Sequence, residues 1–294
     1  MTAVLLALVT AVCYGVANYL GPVLTRSQPL GGVLVVGQTV GLALAGALLL
    51  LAGGEAPDTR HLVLGVLAGV CNAAAIAAVY AAAAIGPMSV VVPLGATGGI
   101  VPVLAAIALG ERPSALQLLG IPLAVVGVVL AASRSRAAQA PEPLECEGLD
   151  LPQGQQPVSR RVVVLTLFSA LAFGGFLTLF GEASDSGPPW AIFSSRAAVL
   201  ACTVAFVLAR RQPVRMPGRA VGLAAVPGVL LLVGTASYGE ATTQGLVSVV
   251  AVLATLAPVV TVGLAVVLLG ERLARRQQLG VGTALVGIVL LAGG

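Results

Sequence analysis

Two stretches, Leu109-Gly110-Glu111-Arg112 and Leu269-Gly270-Glu271-Arg272, show how this chain is built. The same pattern follows both at identical spacing, namely Gln117, Gly120 and Gly127 in one case and Gln277, Gly280 and Gly287 in the other. Self-similarity at a fixed spacing indicates one structural unit that occurs more than once. The 294 residues therefore contain two copies of one unit.

The composition places this unit in a lipid bilayer. Hydrophobic residues make up 58% of the chain and charged residues only 9%, and a helix needs roughly 20 apolar residues to cross the hydrocarbon core. The apolar segments of this chain lack the alternation of apolar and polar residues that membrane-spanning strands show, so an all-α membrane protein is predicted. Its ten expected transmembrane helices are residues 2–24, 30–52, 62–84, 88–109 and 115–132, then 162–180, 190–209, 220–241, 246–269 and 279–292.

Five spans per copy is an odd number, so the second copy must cross the membrane in the opposite sense to the first. Such inverted repeats are typical of secondary transporters, whose sites lie near the midplane between the halves. All 15 basic residues are arginines, and twelve of them fall on the side of the loop after the first span. Because basic residues mark cytoplasmic loops, we expect both termini on the outer side of the membrane. The membrane itself is expected to be a cell membrane, inner or plasma.

The copies are joined by a segment of different composition. Residues 134–161 contain four prolines and four acidic residues and almost no bulky apolar residue, which is typical of a disordered, solvated linker. The expected organisation is a first repeat over residues 1–133, a cytoplasmic linker over 134–161 and a second repeat over 162–294.

Three features resemble the EamA family of the drug/metabolite transporter superfamily. They are the sequence YGVANY at residues 14–19, the related segments SVVVPL at 89–94 and SVVAVL at 248–253, and the two Gly-Glu-Arg blocks. The resemblance covers nearly the whole chain and implies two five-helix repeats that move a small metabolite or drug-like solute, more often outwards. It also implies cytoplasmic termini, whereas the arginine distribution indicates the opposite orientation.

The Gly-Glu-Arg blocks are interpreted as structural clamps. Gly110 and Gly270 are suited to end a helix in the left-handed conformation. Glu111 and Glu271 then lie near the start of the following helix, where its dipole favours a carboxylate. Arg112 and Arg272 complete the blocks, and a role in ion coupling is the alternative.

Glycine and proline interrupt the fourth and ninth spans at matching positions, which in transporters points to the binding site. Thr97 and Thr255 lie within these interrupted stretches. Such breaks free backbone carbonyls that line a cavity, but the same glycines also permit close helix packing. The sequence leaves the two interpretations equal.

Polar side chains inside spans are few, and each needs a partner or water. Asn18, Gln38, Asn72, Arg196 and Glu240 are the candidates, with Gln38 at the place in the second span that matches Arg196 in the seventh. We expect Arg196 either to pair with an acidic residue or to hold an anionic group of the substrate. Glu182 and Glu240 are the acids available for that pair and for proton exchange. Three tyrosines are further candidates for the cavity or the core, namely Tyr14, Tyr80 and Tyr238.

Other functional classes find little support. There is no P-loop, the four cysteines are isolated, and no cluster suited to a metal or to membrane-enzyme chemistry occurs. We therefore expect no enzyme activity, no cofactor, no metal and no nucleic acid. The expected partners are the bilayer, a small solute and protons in a coupled mechanism. Alternatives are an uncoupled permease and a non-transporting scaffold or receptor, and a homodimer is left open.

Overall fold

The fold is a bundle of α-helices, described in a computed structural model for residues 1–25, 27–53, 56–85, 91, 94–132, 159–269 and 275–293. The first half contains α1 (Thr2–Thr25), α2 (Leu30–Ala52), α3 (Thr59–Ile85), a 3₁₀ turn (Ala96–Gly99), α4 (Ile100–Ala108) and α5 (Ala115–Ala132). The second contains α6 (Arg160–Ser184), α7 (Pro188–Ala209), α8 (Gly218–Gln244), α9 (Val247–Ala254), α10 (Ala257–Leu269) and α11 (Arg275–Gly293). The described residues contain no strand.

Seven of these helices, α1, α2, α3, α6, α7, α8 and α11, are long and apolar enough to cross a membrane. The other three predicted spans correspond to shorter apolar helices, in the regions 96–108, 115–131 and 247–261. Large apolar side chains such as Leu51, Leu104 and Leu171 face outwards, as lipid-facing side chains do. The all-α, multi-pass membrane fold predicted from the sequence is confirmed.

The predicted interruption of the ninth span is present as a break between α9 and α10. Thr255 and Leu256 separate the two helices, and the Thr255 hydroxyl donates to the Val252 carbonyl over 2.7 Å. The corresponding part of the fourth span is the 3₁₀ turn. A Cβ on Gly99 would lie 2.7 Å from the Thr255 hydroxyl oxygen, so the two interrupted spans meet where their helices are irregular.

The extensive helix contacts join one half to the other rather than helices of the same half. The pairs are α1 with α8, α3 with α6, α2 with α7 and α8, α3 with α7, and α5 with α11. The pair α1 with α8 corresponds to α6 with α3 in the other half, and α2 with α8 corresponds to α7 with α3. The pairs α2 with α7 and α5 with α11 each join two equivalent helices. The halves therefore share a large hydrophobic core, to which both contribute side chains.

Individual contacts repeat under this exchange. A Cβ on Gly15 would lie 2.7 Å from the Ala257 carbonyl oxygen, and one on Gly174 would lie 2.5 Å from the Gly98 carbonyl oxygen. Likewise, the Thr10 hydroxyl donates to the Gly234 carbonyl over 3.1 Å, as Ser169 does to Ala75 over 2.8 Å. In both cases, each contacting residue corresponds to a residue at the equivalent position of the other half, and the separation along the chain between equivalent residues is constant. The sequence repeat is therefore also a repeat of contacts.

Equivalent helices α5 and α11 pack antiparallel through small residues. Gly120 lies against Gly287, and Gly127 lies against Ala284, so rising numbers on α5 meet falling numbers on α11. The glycines identified in the sequence repeat allow the backbones to approach closely, as small residues do in membrane bundles.

The first Gly-Glu-Arg block ends α4 as predicted. Gly110 has φ +106°, its N–H donates to Ile107, and the Glu111 N–H donates to Ala106, which together form a Schellman motif. The second block, Gly270-Glu271-Arg272, lies outside the described residues, as does most of the predicted linker. Helix α6 begins at Arg160, inside the predicted linker, because the Ser159 hydroxyl caps it.

Candidate functional site

A cluster of buried polar side chains lies between α1, α7 and α8. Its central residue is Arg196, of which 3% is exposed. One terminal nitrogen of Arg196 donates to the Leu231 carbonyl over 2.5 Å and to the Thr235 hydroxyl. The hydroxyls of Thr235 and Tyr14 are 3.0 Å apart. We call Tyr14, Arg196 and Thr235 the central cluster.

The direction of the hydrogen bonds in the central cluster follows from what each group can donate. The Thr235 hydroxyl lies 2.7 Å from the Leu231 carbonyl, which can only accept, so Thr235 donates there. Its oxygen then accepts from Arg196, which has no acceptor, and from Tyr14. All the hydrogen-bonding capacity of this hydroxyl is used.

The cluster lies at about half the depth of the bundle. Tyr14 is in the middle of α1, and Arg196 is eight residues from the start of α7, which is about 12 Å at 1.5 Å per residue. Gln38, buried on α2, is also close to the middle of its helix. These depths agree with the midplane position of transporter sites.

Glycines bring the helix backbones close to these side chains. A Cβ on Gly234 would lie 2.7 Å from the Tyr14 ring, so only glycine leaves room for the tyrosine there. A Cβ on Gly41 would lie 3.8 Å from Cδ of Arg196. The α2 backbone thus lies beside the arginine, one turn from Gln38.

The acids proposed to pair with Arg196 make other contacts. Glu182 lies 3.8 Å from Arg60, and Glu240 is exposed and accepts from Gln244 over 2.6 Å. Within the described residues, Arg196 has no ion pair, and its Nε atom has no hydrogen-bond partner. The structural lock considered from the sequence is therefore absent among these residues, and the backbone and hydroxyl acceptors of α8 replace it.

The remaining candidates divide between core, surface and intermediate positions. Tyr238 is completely buried, donates to the Leu177 carbonyl over 3.0 Å and packs against Phe180. Asn18 is exposed and Asn72 is half-buried. Thr97 donates to the Leu94 carbonyl over 2.7 Å. The side chain of Tyr80 lies outside the described residues.

Glu111 caps a different helix from the one predicted. Its carboxylate accepts from the Val247 N–H at 2.6 Å, the Ser248 N–H at 3.1 Å and the Ser248 hydroxyl at 2.6 Å. It therefore caps α9, in the other half of the chain, rather than α5. The start of α5 has its own capping box, formed by Ser114 and Gln117.

Two grooves on the outer surface lie away from the central cluster. One, of about 630 Å³, is lined by residues of α5 and α11 that include Leu123 and Thr283. The other, of about 300 Å³, lies along α1 between Leu5 and Cys13. Arg196 lines neither groove.

Comparisons with known proteins agree with this architecture. The model of the EamA-like transporter family matches residues 160–293. One solved crystal structure, of a protein described without a function, is 17% identical with a TM-score of 0.78. That alignment covers 98% of this chain and 95% of the other, and at this identity it shows the fold alone. The search of curated proteins found no match. Residues 160–293 are therefore similar to the EamA-like transporter family.

Proposed function

We propose that this protein is a secondary transporter that moves a small metabolite or drug-like solute across the membrane by alternating access. The observation that carries the proposal is the central cluster, a buried polar site at half depth between helices of both halves. A polar group at that depth is costly in hydrocarbon and is retained mainly where it serves function. The similarity of residues 160–293 to a transporter family supports the same conclusion.

Inverted repeats supply the proposed mechanism. The antiparallel packing of the equivalent helices α5 and α11 supports an inverted relation between the halves. Two halves related in this way can rock against each other about a fixed site, so that access alternates between the two membrane faces. The closed surroundings of Arg196 fit an occluded state of such a cycle.

The finer features of the proposal come from the sequence. Export is the proposed direction, and the solute gradient or proton exchange through Glu240 or Glu182 is the proposed energy source. The arginine distribution supports a cytoplasmic segment between the repeats in a cell or inner membrane. An uncoupled permease and a non-transporting scaffold are the competing functions.

Counterflow in proteoliposomes separates these functions. Vesicles containing the purified chain are loaded in turn with unlabelled alanine, benzoate, adenine or choline, and uptake of the same labelled solute is measured. Alternating access predicts that the internal solute accelerates uptake of the labelled solute several-fold, for at least one of the four. Flux without acceleration would support a permease, and no flux for any of them would contradict the proposal.

A further inference from the structure

The charge of Arg196 has no counterpart among the described residues. The five described acids are all engaged elsewhere or exposed: Asp58 with His61, Glu111 with α9, Glu182 with Arg60, Glu240 with Gln244, and Asp185 at the surface. A buried guanidinium without an anion is strongly unfavourable, because its own desolvation is not offset. Buried charges in proteins are therefore normally paired.

The acceptors that Arg196 does use are already supplied with donors. Leu231 lies inside α8, where the backbone N–H of Thr235 is its regular helical donor, and the Thr235 hydroxyl also donates to it. Arg196 therefore satisfies no orphaned backbone group. The Nε–H of Arg196, by contrast, is buried and has no acceptor in the described part of the chain. The group that lacks a partner is therefore the guanidinium and not the backbone of α8.

The first half shows that the helix packing does not need this cluster. When the two repeats are aligned, the counterparts of Arg196 and Thr235 are Gln38 and Ile76, and the counterpart of Tyr14 is Phe173. The matching helices α3 and α6 nevertheless pack against each other as α8 and α1 do, although the counterparts of the cluster carry no charge. The packing that the two halves share therefore does not require a charge at position 196.

We infer that the central cluster is one half of an ion pair whose other half is the solute, and that the solute is a small organic monoanion bound through its carboxylate by Arg196. This inference rests on the proposed transport function and specifies its substrate class. A guanidinium presents parallel N–H groups that match the two oxygens of a carboxylate. One cation among neutral groups balances one negative charge, which favours a monocarboxylate over a phosphate dianion.

Ligand-dependent stability of the full-length protein in detergent tests the inference. The probes are lactate, benzoate, nicotinate and octanoate, each compared with its own carboxamide, which has nearly the same shape and no charge. We expect at least one carboxylate to raise the unfolding temperature where its carboxamide does not. In Arg196→Gln, affinity for that carboxylate should fall at least tenfold, with a smaller loss in Arg196→Lys. Arg210→Gln, an exposed arginine at the end of the same helix, should bind normally.

Several results would overturn the inference. They are equal stabilisation by every carboxylate and its carboxamide, no stabilisation by any carboxylate, and carboxylate binding that survives in Arg196→Gln. If Arg196→Gln does not fold, phenylglyoxal modification of the wild-type protein replaces it. The stabilising carboxylate should then protect the Arg196 peptide, and the absence of protection would contradict the inference. Because binding is measured without flux, a bound carboxylate that is not transported would refute the transporter proposal and leave the carboxylate site standing.

Discussion

Arg196 and Thr235 connect α7 to α8 through a hydroxyl that serves three groups at once. Thr235 donates to Leu231 and accepts from both Arg196 and Tyr14. A threonine inside a helix usually needs only its own i−4 carbonyl. Here the same hydroxyl also holds the arginine and tyrosine of the central cluster in place.

Thr235→Val is expected to destabilise the protein. Valine keeps the shape of the side chain but leaves Arg196 and Tyr14 without their shared acceptor, which costs about 1–3 kcal/mol for an unsatisfied buried group. Thermal unfolding of the purified protein measures the change. The matched control is Thr283→Val, because Thr283 is only partly buried and its hydroxyl donates to the Leu279 carbonyl in a hydrogen bond exposed to the surroundings. Equal stability of the two variants would show that the network does not support the fold.

Glu111→Gln is expected to weaken the junction between the halves. The carboxylate accepts three hydrogen bonds at the start of α9, and an amide has one oxygen and no charge to offer the helix dipole. We expect a loss of about 1–3 kcal/mol in the free energy of unfolding. Asp185→Asn, at an exposed position, is the control for loss of a negative charge, and a similar change in both variants would argue against a specific cap.

Gly287→Ala and Gly282→Ala should have opposite effects although both lie on α11. A Cβ on Gly287 would lie 2.6 Å from the Ala124 backbone nitrogen, whereas one on Gly282 would meet nothing within 4 Å. The first change forces α5 and α11 apart and should cost about 1–3 kcal/mol. The second should be neutral or stabilising by up to about 1 kcal/mol, because alanine favours helix more than glycine does. Unfolding midpoints give the comparison, and a tolerated Gly287→Ala would refute close packing at this crossing.

Glu240→Gln tests proton coupling. If Glu240 is the coupling acid, the variant should insert and fold normally, since the side chain is exposed, but its transport should lose its dependence on a proton gradient. Glu182→Gln provides the parallel test for the other candidate. Flux in proteoliposomes with and without a pH gradient is the measurement. Full pH dependence in both variants would exclude both residues as the coupling group.

The sequence repeat predicted more of the fold than of the site. The repeated spacing identified Gly120 and Gly127 on α5 and their repeat counterparts on α11. Glycine recurs at these positions because the backbones of the two helices approach closely at each of them. Thr235 was not among the candidates, since a helical threonine can satisfy its hydroxyl locally and leaves no trace of a further role. The partner of Glu111 was missed for a related reason, because a cap between distant helices depends on tertiary contacts that sequence spacing does not encode.

The central claim is that the site between the halves opens alternately to the two faces of the membrane. Gln38→Cys, at a buried position on α2, can report this in a background lacking the four native cysteines. Sealed vesicles of known orientation are treated with a membrane-impermeant maleimide from one side at a time. Alternating access predicts labelling from both sides, with any solute that accelerates counterflow shifting labelling towards one of them. Labelling from one side only, under every solute condition, would contradict the account.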